Sequence, residues 1–330
     1  MPNVFADLHA DSVSRPLTLG LPLTAPYHFP AHTAGLQLAA CFPGSGREPL
    51  ASRRARLFRM LDTLDEAARR EMLLPVRTVD DLVDLRRAGT HAVMYSIEGG
   101  GFLPEDVPRL FARGVRVLSL VWDRNEYGTS SRESGTLADT GLTPLGIEVL
   151  SACERLGLTI DVSHLSDASF RDVAAHTATP LLATHSNFRA VCPHPRNLTD
   201  AEARLIAARG GLIGLNLYPP FLCDRSHTAP DLSKNSSVDC SGYATLDDLL
   251  RHVEHGLALC GEETLAFGFD IDGTGGAYPA GVSFSDSMHA RVADVLLSHY
   301  SATTVDRITG GNALRFFEAR LPKEEIPPKR

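Results

Sequence analysis

The 330-residue sequence lacks several features that would place it in a familiar class of protein. It has no run of about 18 apolar residues, the length that a membrane-spanning helix needs. It has no Lys/Arg-rich arm, and its net charge of −8 argues against nucleic-acid binding, which depends on a basic surface. The N-terminus has neither the basic segment nor the apolar core of a secretion signal, which predicts a cytoplasmic protein.

Cysteine is the next scarce feature. None of the six cysteines forms a CxxC pair, which excludes the usual zinc-knuckle and thioredoxin-type sites. Because reducing compartments disfavour disulfides, buried free thiols are expected. The content of 43% hydrophobic and 22% charged residues is that of an ordinary soluble protein. A chain of this length can bury a substantial core.

What the sequence does contain is a series of short apolar runs, each followed by polar or turn-forming residues. Such runs are typical of strands buried on both faces. Two of them end in histidine, at His164 and His185. The runs that predict strands are 4–11, 36–42, 91–98, 114–122, 160–164, 181–185, 211–217 and 264–270.

Helical patterns fall between most of these runs. They cover residues 52–71, 106–113, 144–156, 167–176, 200–209 and 246–260, and Gly157 stands where a C-cap glycine is expected. Strands alternating with helices predict an α/β fold, a (β/α)8 TIM-type barrel in a single domain over residues 1–320, with a C-terminal tail at 321–330. A doubly wound sheet is the alternative, but no GxGxxG phosphate turn is present. The aperiodic segment 218–245 is typical of a functional lid.

Chemically active side chains stand at the ends of the predicted strands. In a barrel these ends meet at one face, where barrel enzymes carry their chemistry. Imidazole and carboxylate without thiolate suit zinc, and also manganese, iron or cobalt. The set is larger than one tetrahedral ion needs, which favours two ions sharing a carboxylate and metal-assisted hydrolysis of an amide or ester. The candidate ligands are His9, Asp11, Glu98, His164, His185 and Asp270.

The order of the motifs resembles the membrane (renal) dipeptidase family of zinc peptidases, within the wider set of metal-dependent amidohydrolase barrels. The matching motifs are His9-Ala10-Asp11, Ser96-Ile97-Glu98-Gly99-Gly100, Asp161-Val162-Ser163-His164, Thr184-His185-Ser186, Pro195-Arg196-Asn197-Leu198, Gly268-Phe269-Asp270-Ile271-Asp272-Gly273 and Gly310-Gly311-Asn312-Ala313-Leu314-Arg315. They span nearly the whole chain in the family's order.

This resemblance implies a binuclear zinc dipeptidase that cleaves a dipeptide with a free C-terminal carboxylate, with a hydroxide bridging the two ions as the nucleophile. One zinc would be held by His9, Asp11 and Glu98, and the other by Glu98, His164 and His185, with Glu98 as the bridging carboxylate. The resemblance also suggests a homodimer.

Two further residues take roles from the same resemblance. Asp270 would contact the nucleophilic water and shuttle its proton, close to the substrate amino group. Arg196 would hold the substrate carboxylate, which agrees with the bidentate geometry of a guanidinium. Cys192 and Cys223 fall close to positions that some secreted members join by a disulfide, and we expect thiols here.

One residue departs from the family pattern. Where well-studied members carry a histidine that stabilises the oxyanion, this chain has Trp122. Losing one oxyanion donor typically costs about 10²–10³ in rate. Either Trp122, Arg124 or Asn125 takes over this role, or the substrate differs, or Trp122 is a packing residue. The competing hypotheses are therefore an amidohydrolase for a lactone, cyclic amide or N-acyl amino acid, and a non-catalytic metal-binding barrel.

Overall fold

A computed structural model describes residues 4–30, 33–224, 244–282, 284 and 287–324. Its parallel strands follow the apolar runs of the sequence. They are β1 (Val4–Ala10), β2 (Ala34–Cys41), β3 (Leu74–Pro75), β4 (His91–Ile97), β5 (Val115–Ser119), β6 (Thr159–Asp161), β7 (Leu182–Ala183), β8 (Leu212–Leu215) and β9 (Leu265–Phe267).

The strands close into a barrel. Pairing runs from β2 through β1, β9, β8, β7, β6 and β5 to β4, and β4 pairs again with β2. This closed barrel of eight parallel strands confirms the (β/α)8 prediction. The two-residue β3 adds a short outer pairing to the beginning of β4.

Helices follow most strands and surround the barrel. They are α1 (Leu50–Arg70), α2 (Val79–Ala88), α3 (Val107–Ala112), α4 (Pro144–Leu156), α5 (Asp167–His176), α6 (Asp200–Ala208), α7 (Pro219–Leu222), α8 (Leu246–Cys260), α9 (Met288–Leu297), α10 (Ala302–Asp306) and α11 (Asn312–Glu318). Local chemistry sets several of their ends. Thr78 and Thr199 begin α2 and α6 with capping boxes, and Gly157 ends α4 with a φ of 75°.

Buried apolar residues form two clusters on opposite faces of the strands. Alternate residues of most strands, such as Leu8, Leu36 and Met94, fill the barrel interior and meet Phe316 and Phe317 from the C-terminal helix. The other alternate residues pack outwards against α1, α4, α6, α8 and α9. The buried polar side chains of the site lie at the carboxyl ends of the strands, above this interior cluster.

The sequence predicted every barrel strand, and the structure ends most of them one to several residues before the predicted end. The residues that follow leave the ladder and carry the site. Helices α4, α5 and α8 match their predicted ranges, whereas α2, α7, α9, α10 and α11 were not predicted.

Two predicted segments are only partly described. The predicted lid, 218–245, lies outside the described residues between 225 and 243. Of the predicted tail, Leu321 is buried in the barrel interior cluster and residues 325–330 lie outside the described residues. None of the described helices is long and apolar enough to cross a membrane.

Candidate metal centre

The first strand delivers His9 and Asp11 to the barrel mouth by a break in its regular alternation. Leu8 packs in the barrel interior, so strict alternation would turn His9 outwards. The register of β1 against β2 shifts between Asp7 and Ala10, where β1 contains one extra residue. Such a bulge re-aims side chains. His9 is 2% exposed and its Nε2 lies 4.0 Å from Asp11 Oδ2.

Glu98 follows β4 and precedes a glycine triplet whose conformation only glycine adopts readily. Gly99, Gly100 and Gly101 have φ values of 82°, 79° and 85°. A Cβ on Gly99 would lie 2.8 Å from the Trp122 Cβ, so there is no room for a side chain. The triplet therefore turns the chain sharply away and leaves the buried Glu98 carboxylate facing the mouth.

The three imidazoles converge on this one carboxylate. Glu98 Oε1 lies 2.9 Å from His164 Nε2, 3.5 Å from His185 Nε2 and 3.7 Å from His9 Nε2. The Nε2 atoms of His164 and His185 are themselves 3.0 Å apart. The sequence-predicted ligands of four different strands thus meet within a few ångströms.

Asp270 completes the cluster from the end of β9. One ligand atom each from His9, Asp11 and Asp270 fits within 4.8 Å, as does one each from His9, Glu98 and His185. His164 and Asp270 have φ values of 70° and 61°, a conformation that non-glycine residues rarely adopt. Strained backbone of this kind clusters at functional sites.

Burial and mutual repulsion hold the groups close to neutral charge in the absence of a cation. Burial, followed by the charge of Arg196, lowers the pKa of His9 to about 3, and burial lowers the pKa of His164 and of His185 well below the usual range. Burial, followed by the charge of Asp11, raises the pKa of the Glu98 carboxyl well above its usual range. Neutral imidazoles are the form that binds metals.

These residues fit a divalent metal centre. His9 Nε2 is buried and has no hydrogen-bond partner among the described residues. Leaving a buried nitrogen unsatisfied is costly, and a cation would accept its lone pair. A cation would also relieve the repulsion that raises the pKa of both Glu98 and Asp11. Oxygen and imidazole donors without sulfur match zinc and other first-row divalent ions.

A buried relay orients His185. Asp161 Oδ2 accepts a 2.6 Å hydrogen bond from Thr184 Oγ1, which lies 2.7 Å from His185 Nδ1. Because the hydroxyl donates its proton to the carboxylate, it accepts from the Nδ1–H of His185. This arrangement puts the ring proton on Nδ1 and leaves the Nε2 lone pair for a metal. The His185 backbone N–H also donates to Ser163 Oγ at 3.1 Å.

Asp270 is held from two sides. Its Oδ2 accepts from Asn216 Nδ2 at 3.1 Å, and its backbone carbonyl accepts from the Tyr278 hydroxyl at 3.1 Å. Burial raises the pKa of the Asp270 carboxyl, while the hydrogen bond from Asn216 and the charge of Arg196 lower it. The carboxylate is thereby made a better proton acceptor than an exposed aspartate.

Arg196 lies beside the cluster with its guanidinium buried. Its Nη1 donates to Ser186 Oγ at 2.9 Å and its Nη2 donates to the His185 carbonyl at 3.1 Å. Its Nε is buried without a hydrogen-bond partner among the described residues. Burial lowers the pKa of Arg196 to about 10. A buried cation with a donor to spare is suited to an anionic group of a ligand.

Trp122 stands at the rim, and its two suggested substitutes both donate hydrogen bonds to backbone carbonyls. The Trp122 ring centroid lies 6.1 Å from that of His164 and 4.8 Å from that of Phe42. Asn125 Nδ2 donates to the carbonyls of Gly99 and Leu120, and the Arg124 guanidinium donates to the Ala138 carbonyl. The Asn125 amide is therefore engaged with the backbone, whereas the buried Arg124 Nε has no hydrogen-bond partner among the described residues.

Sequence reasoning gave no role to several residues that shape the site. Asp7 and Asp161 were visible as carboxylates inside apolar runs, a pattern that signals a buried hydrogen-bonding role. Thr184 was visible only as part of a motif. Asn216, like Glu98, is a polar residue near the end of a predicted strand, but amides are common at strand ends, so its position alone did not indicate a role.

The geometry can be compared with known proteins. The family model described as membrane dipeptidase (peptidase family M19) matches residues 29–326. An uncharacterised Klebsiella pneumoniae protein encoded beside pqqA is 36% identical over 200 residues, which are 58% of this chain and 69% of that protein. Human dipeptidase 3 is 28% identical over 233 residues, which are 68% of this chain and 44% of that protein. The match thus spans less than half of the human relative.

Solved structures share the fold over nearly the whole chain. A metallopeptidase called dipeptidase AC has a TM-score of 0.80 at 23% identity and covers 98% of this chain and 99% of its own. A Rhodobacter sphaeroides metallopeptidase, solved with a phosphinate mimic of L-Ala-D-Ala, has a TM-score of 0.80 at 23% identity and covers 97% of this chain and 99% of its own.

Proposed function

The chain belongs to the membrane dipeptidase family, peptidase family M19, and from this premise we propose that it is a metal-dependent dipeptidase that hydrolyses the amide bond of a dipeptide with a free C-terminal carboxylate. We further propose that the site holds two zinc ions, one bound by His9, Asp11 and Glu98 and the other by Glu98, His164 and His185.

One observation carries the proposal. A single buried oxygen, Glu98 Oε1, stands within 3.7 Å of the Nε2 atoms of all three imidazoles, whose pKa values lie far below 6.5. A carboxylate among neutral imidazoles gains nothing from ion pairing, so a bound cation would stabilise the arrangement. The central position of Glu98 supports a bridging role.

The chain's own groups supply the rest of the reaction. When bound, divalent ions polarise the attacked carbonyl and favour deprotonation of a water. Asp270 takes that proton, because its raised pKa suits a proton acceptor, and returns it to the leaving amine. Arg196 binds the substrate carboxylate through its remaining donors, which positions the scissile bond over the metal ligands.

The proposal is tested by metal analysis and a substrate panel on the purified protein. We expect about two divalent ions per chain by mass spectrometry, and metal-dependent cleavage of L,L-, L,D- or Gly-containing dipeptides. Asp270→Asn should keep its metal and lose about 10²–10⁴ of the turnover. Cleavage of no dipeptide would discard the proposal, and a single ion per chain would refute the binuclear form.

The same panel tests the alternative that the departure at Trp122 motivates. Lactones, cyclic amides and N-acyl amino acids are assayed beside the dipeptides. Turnover of one of these classes without dipeptide cleavage would support a different amidohydrolase. A metal-loaded protein that cleaves nothing in the panel would favour the non-catalytic barrel. The cytoplasmic location and the homodimer stay predictions.

A further inference from the structure

A second guanidinium stands at the rim of the metal centre. Arg132 lies in a short 3₁₀ turn, Ser131–Glu133, in the connection between β5 and α4. Its side chain is exposed, and its Cζ lies 3.8 Å from the ring centroid of Trp122. This is a close cation–π contact with a half-buried indole.

Hydrogen bonds fix this turn to both Trp122 and His164. The Ser130 hydroxyl donates to the Trp122 carbonyl at 2.8 Å and accepts from the Arg132 backbone N–H at 3.2 Å. The Ser131 backbone N–H donates to the His164 carbonyl at 2.9 Å. The position of Arg132 is thus built into the site and does not depend on a flexible surface loop.

The guanidinium of Arg132 keeps its donors available. Among residues 4–30, 33–224, 244–282, 284 and 287–324, no carboxylate or carbonyl accepts a hydrogen bond from it. The acidic neighbour in its own turn, Glu133, instead accepts from the Arg124 backbone N–H at 3.2 Å. A guanidinium whose Cζ lies 3.8 Å from the centroid of an indole ring keeps N–H groups with which it can bind a carboxylate in bidentate fashion.

Arg132 lies on the side of the site that Trp122 and His164 form, since the Trp122 ring centroid is 6.1 Å from that of His164. Burial is the main cause of the lowered pKa of His164, among the metal ligands, and of Arg196, and the charge of Arg132 adds a smaller contribution to both. The C-terminal residue of a dipeptide would span these two places, with its peptide bond at the ligands and its carboxylate at Arg196. The side chain of this C-terminal residue is attached to its α-carbon, which lies between the peptide bond and the carboxylate.

We propose that Arg132, stacked on Trp122, is a specificity-determining residue that binds an acidic side chain on the C-terminal residue of the substrate, so that dipeptides ending in aspartate or glutamate are preferred. This inference rests on the proposed function and deepens it. An exposed cation suits a partly solvated side-chain carboxylate, whereas an oxyanion donor gains its strength in a water-excluded site. The departure from the family pattern at Trp122 then supplies the platform for Arg132.

The test compares acids with their isosteric amides. The metal-loaded, full-length protein is titrated calorimetrically with the L and D forms of aspartate, asparagine, glutamate and glutamine, which resemble the second product and are not turned over. Trp122 is the only tryptophan of the chain, so its fluorescence gives a second readout. We expect at least one acid to bind about tenfold or more tightly than its amide, as expected for one charge-assisted contact.

Two variants assign the preference. Arg132→Gln should abolish it while leaving the affinity for asparagine and glutamine unchanged. Arg124→Gln, a matched loss of one positive charge in the same connection, should retain it. Circular dichroism and thermal melting check that both variants fold. Equal binding of acids and amides by the unmodified protein, no detectable acid binding at millimolar concentration, or a preference that survives Arg132→Gln would overturn the inference.

Hydrolysis of Gly-Asp and Gly-Asn separates this inference from the proposed function. If neither peptide nor any other dipeptide is cleaved while the acid preference in binding persists, the dipeptidase proposal fails and the Arg132 subsite stands. An equal fall in kcat for both peptides in Arg132→Gln would identify an oxyanion donor instead. An equal rise in KM for both would identify a second contact to the α-carboxylate. Either of these results would refute the specificity role.

Discussion

Thr184→Val should weaken metal binding without removing any proposed ligand. Thr184 Oγ1 connects the Asp161 carboxylate to the His185 ring, at 2.6 Å and 2.7 Å. Valine keeps the branched shape and removes the hydroxyl. The His185 ring then loses the acceptor for its Nδ1 proton, so its tautomer and orientation are no longer fixed. The tautomer with a free Nε2 lone pair, which binds the metal, is therefore less populated.

The expected size follows from this loss. Removing a group that orients a metal-bound histidine typically costs about 10–100-fold in metal affinity, or about 1.4–2.8 kcal/mol. Asp161 keeps its hydrogen bonds from the backbone N–H groups of Ser163 and Thr184, both at 2.9 Å, so its charge stays compensated. The metal-free protein should therefore lose only about 1–3 kcal/mol of unfolding free energy, from the unsatisfied ring nitrogen and carboxylate oxygen.

Competition with a chelator of known affinity measures the effect without any substrate. Thr177→Val is the matched control, because Thr177 is also a buried, hydrogen-bonded threonine but lies at the C-terminal end of α5. The control should lose stability and keep its metal affinity. Unchanged metal affinity in Thr184→Val, or equal weakening in both variants, would show that the relay does not tune the centre.

Three further changes probe the same site. Gly273→Ala would put a Cβ 2.1 Å from Asp270 Oδ1 and 2.3 Å from Asp11 Oδ2, which would displace both carboxylates. We therefore expect the metal content measured by elemental analysis to fall by about half or more, and a fully loaded variant would contradict this. Metal binding should release protons and weaken as the pH falls, because the raised pKa values of Glu98 and Asp11 keep both carboxyls protonated at higher pH than usual in the metal-free protein. Calorimetry in buffers of different ionisation enthalpy measures this proton release. Binding heats that do not depend on the buffer would refute it. Gly100→Ala should lower the unfolding free energy by about 1–3 kcal/mol, because Gly100 has a φ of 79° and a Cβ there would lie 2.4 Å from Tyr127 Cε2. An unchanged midpoint of urea unfolding would contradict this.

The barrel and the strand ends were predictable because both depend on local pattern. An apolar run followed by glycine or a polar residue marks a buried strand and its end, as at Glu98 before Gly99. Parallel strands of a barrel bring such ends to one face. Residues remote in sequence, such as His9 and His185, could therefore be grouped before any coordinates were known.

The extra residue of β1 could not be predicted in the same way. A strict two-residue period places His9 and Leu8 on opposite faces, and the apolar pattern of β1 contains no signal for a shift of register. The shift depends on the pairing of β1 with β2, which is a tertiary property. For the same reason no sequence pattern singles out Arg132, whose contact with Trp122 is also tertiary.

The two buried aspartates explain why the ligands stand where the strand ladder ends. Strands β1 and β9 share one register pair, at Asp7 and Phe267, and β6 and β7 share one, at Asp161 and Leu182. Beyond each pair an aspartate replaces the missing backbone acceptor. Asp7 Oδ1 accepts from the backbone N–H groups of His9 and Phe269, and Asp161 Oδ1 accepts from those of Ser163 and Thr184.

Each aspartate therefore joins two neighbouring strands where the regular ladder is interrupted. At the first seam backbone pairing then resumes, because the Asp270 N–H donates to the His9 carbonyl at 3.1 Å and the Asp11 N–H donates to the Ile271 carbonyl at 2.7 Å. In both cases the joined segments carry residues of the metal cluster, His9 with Asp270 at one seam and His164 with His185 at the other. An uninterrupted ladder would keep the strict alternation of side chains, which would turn His9 away from the mouth. Because a side-chain carboxylate satisfies the N–H groups that the interrupted ladder leaves unpaired, the backbone can depart from regular alternation there, as β1 does at its extra residue, and present His9 to the site.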